Sequence, residues 1–189
     1  AAFELWSTAI ECYKENFNHP VIQLDLSDTN NAIRQIKKFS PDMIIGGPPC
    51  QDFSHAGKRI EHDRAELTEC YAKIISGIRP MYFVMENVDR ARNSNAYKKA
   101  REIFKNSGYG LTEIVLDASL CGTPQKRKRF ICFGMQGKED GFAIDKFQKR
   151  MAKTPMTLRD YFGNSLGFEF YYRHPRNYNR RAVFSIDEP

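Results

Sequence analysis

Cys50 follows two consecutive prolines in the run Gly46-Gly47-Pro48-Pro49-Cys50-Gln51, directly after the apolar stretch Asp42-Met43-Ile44-Ile45. An apolar run closed by Gly-Gly-Pro-Pro reads as a buried strand that hands over to a rigid loop. Each proline fixes its own φ and drives the residue before it into an extended shape, so the thiol is held at a strand tip by stiff backbone. Ligands of α/β sheets bind at the carboxyl ends of strands. A thiol there suits a nucleophile; a small buried cap for the sheet is the alternative.

Three more polar groups sit where strands end. Glu86 closes the strand Met81-Tyr82-Phe83-Val84. Partial desolvation would raise its pKa and let it hold a proton near neutrality; a helix cap or an arginine's partner would look the same in sequence. Gln125-Lys126-Arg127-Lys128-Arg129 runs into the apolar residues 130–133. On a strand, Gln125, Arg127 and Arg129 share one face, although a charge run also suits a solvated edge. Glu4 and Asp25 are acids at two further strand ends, positions from which nucleotide-binding sheets grip ribose or adenine, and they serve equally well as caps.

The elements that must position these groups alternate between strand and helix patterns, which predicts an α/β fold with a mainly parallel sheet. Helices are expected over residues 7–17, after an Asp28 cap with Ile33 and Ile36 on the inner face, over 65–78 and over 95–106, with Gly108 as the stop of the last. The 65–78 helix is carried by Leu67, Cys70, Tyr71, Ile74, Ile75 and Ile78 at a 3.6-residue period. Strands are expected over 21–24, 43–45, 81–85, 111–116 and 129–134, the last two as a paired edge. The pattern weakens after residue 137, so residues 1–137 read as one catalytic domain. Residues 138–189 read as a connector and the start of a second, irregular region.

The chain has 189 residues, a formal net charge of +6 and ordinary hydrophobic content, enough for one globular domain with a real core. The basic excess makes a polyanion a reasonable partner. No apolar run is long enough to span a membrane. Cys12, Cys50, Cys70, Cys121 and Cys132 are scattered, with no C-x-x-C pair; this suits reduced thiols in a cytosol and neither a disulfide framework nor a metal site.

Taken in order, Gly-Pro-Pro-Cys-Gln-Asp-Phe-Ser (47–54), Met-Glu-Asn-Val (85–88) and Gln125-x-Arg127-x-Arg129 resemble the motifs of the cytosine-C5 DNA methyltransferases, from Glu4 to about Gly134. The resemblance implies a Rossmann-like, S-adenosylmethionine-dependent methyltransferase sheet with flanking helices. It implies methyl transfer from S-adenosylmethionine to C5 of a cytosine flipped out of double-stranded DNA, through a covalent Cys50 adduct, in a bacterial restriction-modification system in the cytoplasm. It gives Glu86 a hydrogen bond at N3 and Arg127 and Arg129 the fixed cations near O2, with Arg129 most directly on the base. Pro49, Gln51, Asn87 and Gln125 become supporting residues. Glu4 takes the ribose hydroxyls and Asp25 the adenine amino group; Leu5 or Trp6 packs on the adenine, with Pro48 and Leu67 also lining the cofactor. A target base inside the duplex must be flipped out, which the polar stretch after Ser54 suits, with Lys58 and Arg59 on phosphates.

The chain departs from that pattern in two ways. The family's Phe-x-Gly-x-Gly loop, which precedes the position of Glu4, is absent, as is a full target-recognition domain; Arg173, His174, Arg176, Tyr178, Arg180 and Arg181 would suit its beginning. Either residues outside this chain or a second polypeptide would supply them. Two rivals remain: a tRNA-methylating relative, disfavoured by Ser54 where that branch carries Thr, and a silent binding module, disfavoured because Cys50, Glu86, Arg127 and Arg129 are all present.

Overall fold

The computed structural model describes residues 1–49, 65–172 and 183–189. The chain divides into two compact units, Ala1–Glu113 with Phe130–Phe142, and Ile114–Arg129 with Ala143–Pro189. In chain order the first unit carries β1 (Ala2–Glu4), α1 (Ser7–Asn16), β2 (Val21–Gln23), α2 (Thr29–Lys37), β3 (Met43–Gly46), α3 (Ala65–Ile78), β4 (Tyr82–Val88) and α4 (Asn95–Asn106). Strands β5 (Tyr109–Asp117) and β6 (Lys128–Gln136) follow, and the division falls within both.

The strands form a two-stranded sheet, β1-β2, and a four-stranded sheet in the order β3-β4-β6-β5. Pairing is parallel in β1-β2, with Glu4 opposite Gln23, and in β3-β4, with Gly46 opposite Met85. Parallel neighbours need a crossover, and the helices provide it. A helix layer of Ala32, Ile36 and Ile74 with Leu24 buries Phe3, Ile22 and Ile44 from the strands, so both sheets in this unit rest on α2 and α3. Along β4 the side chains alternate: Phe83, Met85 and Asn87 are buried, while Tyr82, Val84 and Glu86 are half-buried. Phe83 sits at the centre of an aromatic cluster, 4.3 Å from the Phe104 ring and 5.0 Å from the Tyr109 ring.

Local chemistry sets the helix ends. Asp28 caps α2 by accepting from the Asn31 amide at 3.0 Å, and Ser94 caps α4 by accepting from the Tyr97 amide at 3.1 Å. Gly108 follows α4 with φ +85°. The 65–78 helix has the predicted bounds. The strand expected over 81–85 runs on to Val88, so Glu86 and Asn87 lie within β4 and not beyond it. The β5-β6 edge is longer than expected, and β5 ends the sheet as its outer strand.

The second unit, by itself, carries the end of β5, the start of β6, α5 (Ile144–Arg150), α6 (Leu158–Phe162) and the antiparallel hairpin β7 (Phe170–Tyr172) with β8 (Val183–Ser185). Thr157 and Asp160 form a reciprocal cap on α6, at 3.0 and 2.9 Å. Arg159 fastens that helix to Asp187 at 2.6 Å and also pairs with Glu169. The described residues of 143–172 and 183–189 therefore have more regular structure than their weak sequence pattern suggests. No helix among the described residues is long and apolar enough to cross a membrane.

Candidate active site

The loop after β3 is built against β4. Continuing the β3-β4 register past Gly46 brings Gly47 beside Glu86 and Pro48 beside Asn87. A Cβ on Gly47 would stand 3.3 Å from Glu86 Oε2, so the backbone there runs directly alongside the carboxylate. Asn87 Nδ2 donates to the Pro48 carbonyl at 3.0 Å, while its Oδ1 accepts from the Val88 amide at 2.9 Å. Asn87 is buried, so this bond is shielded from competing water.

Tyr71, on α3, braces the same corner from below. Its hydroxyl donates to the Val84 carbonyl at 2.9 Å and lies 3.4 Å from the Ile44 carbonyl. Burial pushes its phenol well above the usual range, so it stays a neutral donor. Its ring occupies the space a side chain on Gly46 would need, 2.6 Å from the position of a Cβ. Sequence reading placed Tyr71 on the packing face of its helix and missed this second contact; a single helix period carries no sign of it.

Pro48 and Pro49 are described and hold the start of this loop. Cys50, Gln51, Ser54, Lys58 and Arg59 lie outside the described residues, as do the basic residues of 173–182.

Glu4 and Asp25 come together at the carboxyl end of the β1-β2 sheet. Glu4 Oε1 accepts from the amides of Leu5 at 2.8 Å and Trp6 at 3.0 Å, which fixes the turn into α1. The Leu5 and Trp6 side chains are exposed. Asp25 Oδ1 accepts from the Ser27 hydroxyl at 2.7 Å and the Ser27 amide at 2.8 Å. Those bonds hold its carboxyl below the usual carboxylate range. The first half of α3 lies against this turn, with Cys70 Sγ 3.9 Å from the Ser27 carbonyl; half-buried Leu67 is one turn before Cys70. Glu4, Asp25 and Leu67 thus belong to one end of the first unit.

The arginine motif lies in the second unit. Lys128 begins β6, so Arg129 is on the strand while Gln125 and Arg127 precede it. The expected strand alternation across all three does not hold. The segment is held as a loop: Asp117 Oδ1 accepts from the Arg127 amide at 3.3 Å, and the Arg127 carbonyl accepts from the Ala118 amide at 3.0 Å. Arg127 is exposed and Arg129 half-buried, its Nη1 donating to the Lys128 carbonyl at 2.8 Å. Asp117 was not singled out in sequence. The signal was present, because Asp117-x-Ser119 repeats the strand-end Asp25-x-Ser27 arrangement, the signature of a side chain that hydrogen-bonds its own backbone two residues on.

The family described as C-5 cytosine-specific DNA methylase matches residues 1–185. The Type II methyltransferase M.HindV of Haemophilus influenzae is 55% identical over 100% of this chain and 62% of its own length. M.HgiDI of Herpetosiphon aurantiacus, also a Type II methyltransferase, is 50% identical with the same coverage. Among solved structures, the S. pombe Dnmt2 methyltransferase superposes with a TM-score of 0.67 over 85% of this chain and 50% of that one, at 22% identity, a likeness of fold. The chain spans about 62% of the length of the first two curated relatives. The match over residues 1–185 and relatives of this identity show that the chain belongs to the C-5 cytosine-specific DNA methylase family.

Proposed function

We propose that the complete protein is a DNA cytosine-C5 methyltransferase that forms a covalent adduct through Cys50, the modification enzyme of a bacterial restriction-modification system. The observation that carries this reading is the Asn87–Pro48 bond at 3.0 Å beside Glu86. It ties the stiff loop that leads to Cys50 to the strand that bears the carboxyl group, so that one backbone frame serves nucleophile and acid. Membership of the methylase family and the Type II methyltransferases among its relatives favour DNA as the substrate.

C5 of cytosine is a poor nucleophile. A Cys50 thiolate that adds to C6 breaks the aromaticity of the ring and sends electron density to N3 and C5. Glu86 forms a hydrogen bond at N3 as that charge develops. Arg127 and Arg129 supply fixed positive charge to O2 and favour the thiolate form of Cys50. After methylation at C5, loss of the C5 proton lets Sγ leave and restores the ring. Gln125 positions the arginine loop and Gln51 the cysteine. Ser54, Lys58 and Arg59 take backbone phosphates as the base flips out.

The residues present fit S-adenosylmethionine. Two carboxylates at neighbouring strand ends suit a ribose diol and an adenine amino group, and Leu5, Trp6, Leu67 and Pro48 offer apolar surface for the ring. When bound, that molecule supplies an electrophilic methyl sulfonium.

The test uses the complete enzyme with duplex DNA containing 5-fluorocytosine, which blocks proton loss and traps the adduct. The expected product is a covalent complex that disappears in Cys50→Ala. An adduct that persists in that variant would sink the mechanism, and labelled methyl entering tRNA in place of duplex DNA would change the substrate.

A further inference from the structure

In the second unit one carboxylate collects bonds that local capping alone does not require. Asp117 ends β5, and its Oδ1 accepts from the Ser119 hydroxyl at 2.8 Å and the Ser119 amide at 3.1 Å. These two bonds stabilise the short helical turn Ala118–Leu120. The third bond, from the Arg127 amide at 3.3 Å, comes from ten residues away. Beside it the Ala118 amide donates to the Arg127 carbonyl at 3.0 Å. The peptide groups on both sides of Arg127 are therefore fixed to residues 117 and 118, and the intervening loop is closed at its base.

The loop is also stiff within and anchored outside. The amides of Cys121 and Thr123 donate to the Ala118 carbonyl at 2.9 and 3.1 Å, and the Gln125 amide donates to the Thr123 carbonyl at 2.7 Å. Ser119 is only 2% exposed. Its carbonyl accepts from the Met156 amide at 2.7 Å, next to the Leu120 carbonyl bonded to the Ala152 amide at 2.9 Å. Asp117 thus stands on a rigid base. The bonds from Ser119 and Arg127 also hold its carboxyl below the usual range despite partial burial, so at neutral pH it is a permanent acceptor.

We propose that Asp117 is a positioning residue for the arginine segment. Its Oδ1 fixes the backbone of Arg127, and through the next two peptides that of Arg129, so that both guanidinium groups are set before the base arrives. The proposal rests on the cytosine-methylation reading for its catalytic consequence. Fixed charges lower a barrier only when they need no rearrangement during reaction, and small misplacements of such groups are costly.

The experiment uses the complete enzyme as wild type, Asp117→Ala and Asp117→Asn. The asparagine keeps Oδ1 as an acceptor, while the alanine removes it. Hydrogen exchange of peptides spanning 118–129 and the kinetics of adduct formation on 5-fluorocytosine duplex are read together. In Asp117→Ala the Arg127 amide should exchange at least ~10-fold faster, as expected for loss of a protecting bond. Adduct formation should slow by roughly 30- to 100-fold, with the final amount of adduct and the affinity for S-adenosylmethionine unchanged. Asp117→Asn should stay within about 3-fold of wild type on both measures, because hydrogen-bond geometry and not charge is what the residue supplies.

Unchanged exchange in Asp117→Ala would overturn the proposal. So would a rate that asparagine does not restore, or an adduct yield that falls in step with the rate, the mark of a misfolded fraction. If Asp117→Ala does not fold, Asp117→Asn decides alone, since slow adduct formation there is incompatible with the proposal. A wild-type enzyme that forms no adduct would refute the cytosine reading, while the exchange measurement would still decide whether Asp117 holds the segment.

Discussion

Pro48 and Pro49 carry no backbone N–H, so the loop before Cys50 offers only carbonyl oxygens at these two positions and needs a donor to fasten it. Asn87 is that donor, through Nδ2 to the Pro48 carbonyl at 3.0 Å, while Oδ1 takes the Val88 amide at 2.9 Å. An aspartate of the same shape would accept from Val88 but would face the Pro48 carbonyl with a second acceptor. Asn87→Asp is therefore expected to slow adduct formation by about 100-fold, the scale of a misplaced reacting group, with affinity for S-adenosylmethionine within about 3-fold of wild type. Single-turnover kinetics and calorimetric titration read the two quantities, and an equal loss in both would show that the substitution had unfolded the site. At this scale the sequence was informative where a residue's partner lay close along the chain, as with the Asp28 cap of α2. It was silent on Tyr71, whose contacts to Val84 and Ile44 depend on how α3 lies across the sheet.

Elements are held together here by a few contacts with little slack. Gly46 ends β3 under the Tyr71 ring, and an added Cβ would stand 2.6 Å from Cε2 of a buried side chain that is itself hydrogen-bonded. Gly46→Ala should destabilise the fold by about 1–3 kcal/mol, as overpacking does, and Tyr71→Leu in the same chain should recover part of the loss; urea midpoints at constant slope measure both. Next to α3, α4 is tied to the start of β5 through Asp140, which accepts from Lys105 at 2.7 Å, Arg101 at 3.0 Å and the Leu111 amide at 2.9 Å. The Lys105 ammonium is the main reason its carboxyl sits below the usual range, against some desolvation. A carboxyl with a depressed folded pKa stabilises fully above its unfolded value of about 3.9, and the benefit disappears as pH falls through the lower folded value. The Tm of Asp140→Asn should accordingly lie below wild type near neutrality and converge with it as pH falls through the lowered folded value. The periodicity of α3 made its bounds legible because one face of that helix is apolar throughout. The arginine segment was misread as strand because alternation is blind to a bond from ten residues away, and Asp117 supplies that bond.

At the scale of the molecule, the α/β order was legible because helix and strand patterns alternate cleanly up to β6. The division into units was not, since it falls inside β5 and β6, where no change of composition marks it. The split of β1 to β6 into two sheets was equally hidden, for strand order depends on crossovers and not on local pattern. Among the described residues β3 has a paired neighbour on one side only, and on it Met43 is 44% and Ile45 70% exposed. In handling terms this strand is a colloidal liability. An open strand edge beside exposed aliphatic side chains templates association between copies, and the net charge of +6 is the main force opposing it. Salt weakens that repulsion, since at about 1 M the screening length is only about 3 Å. Light scattering of the 189-residue chain should therefore rise with sodium chloride, and Ile45→Lys should suppress the rise. A solution that stays monodisperse as salt increases would show that this edge is already protected.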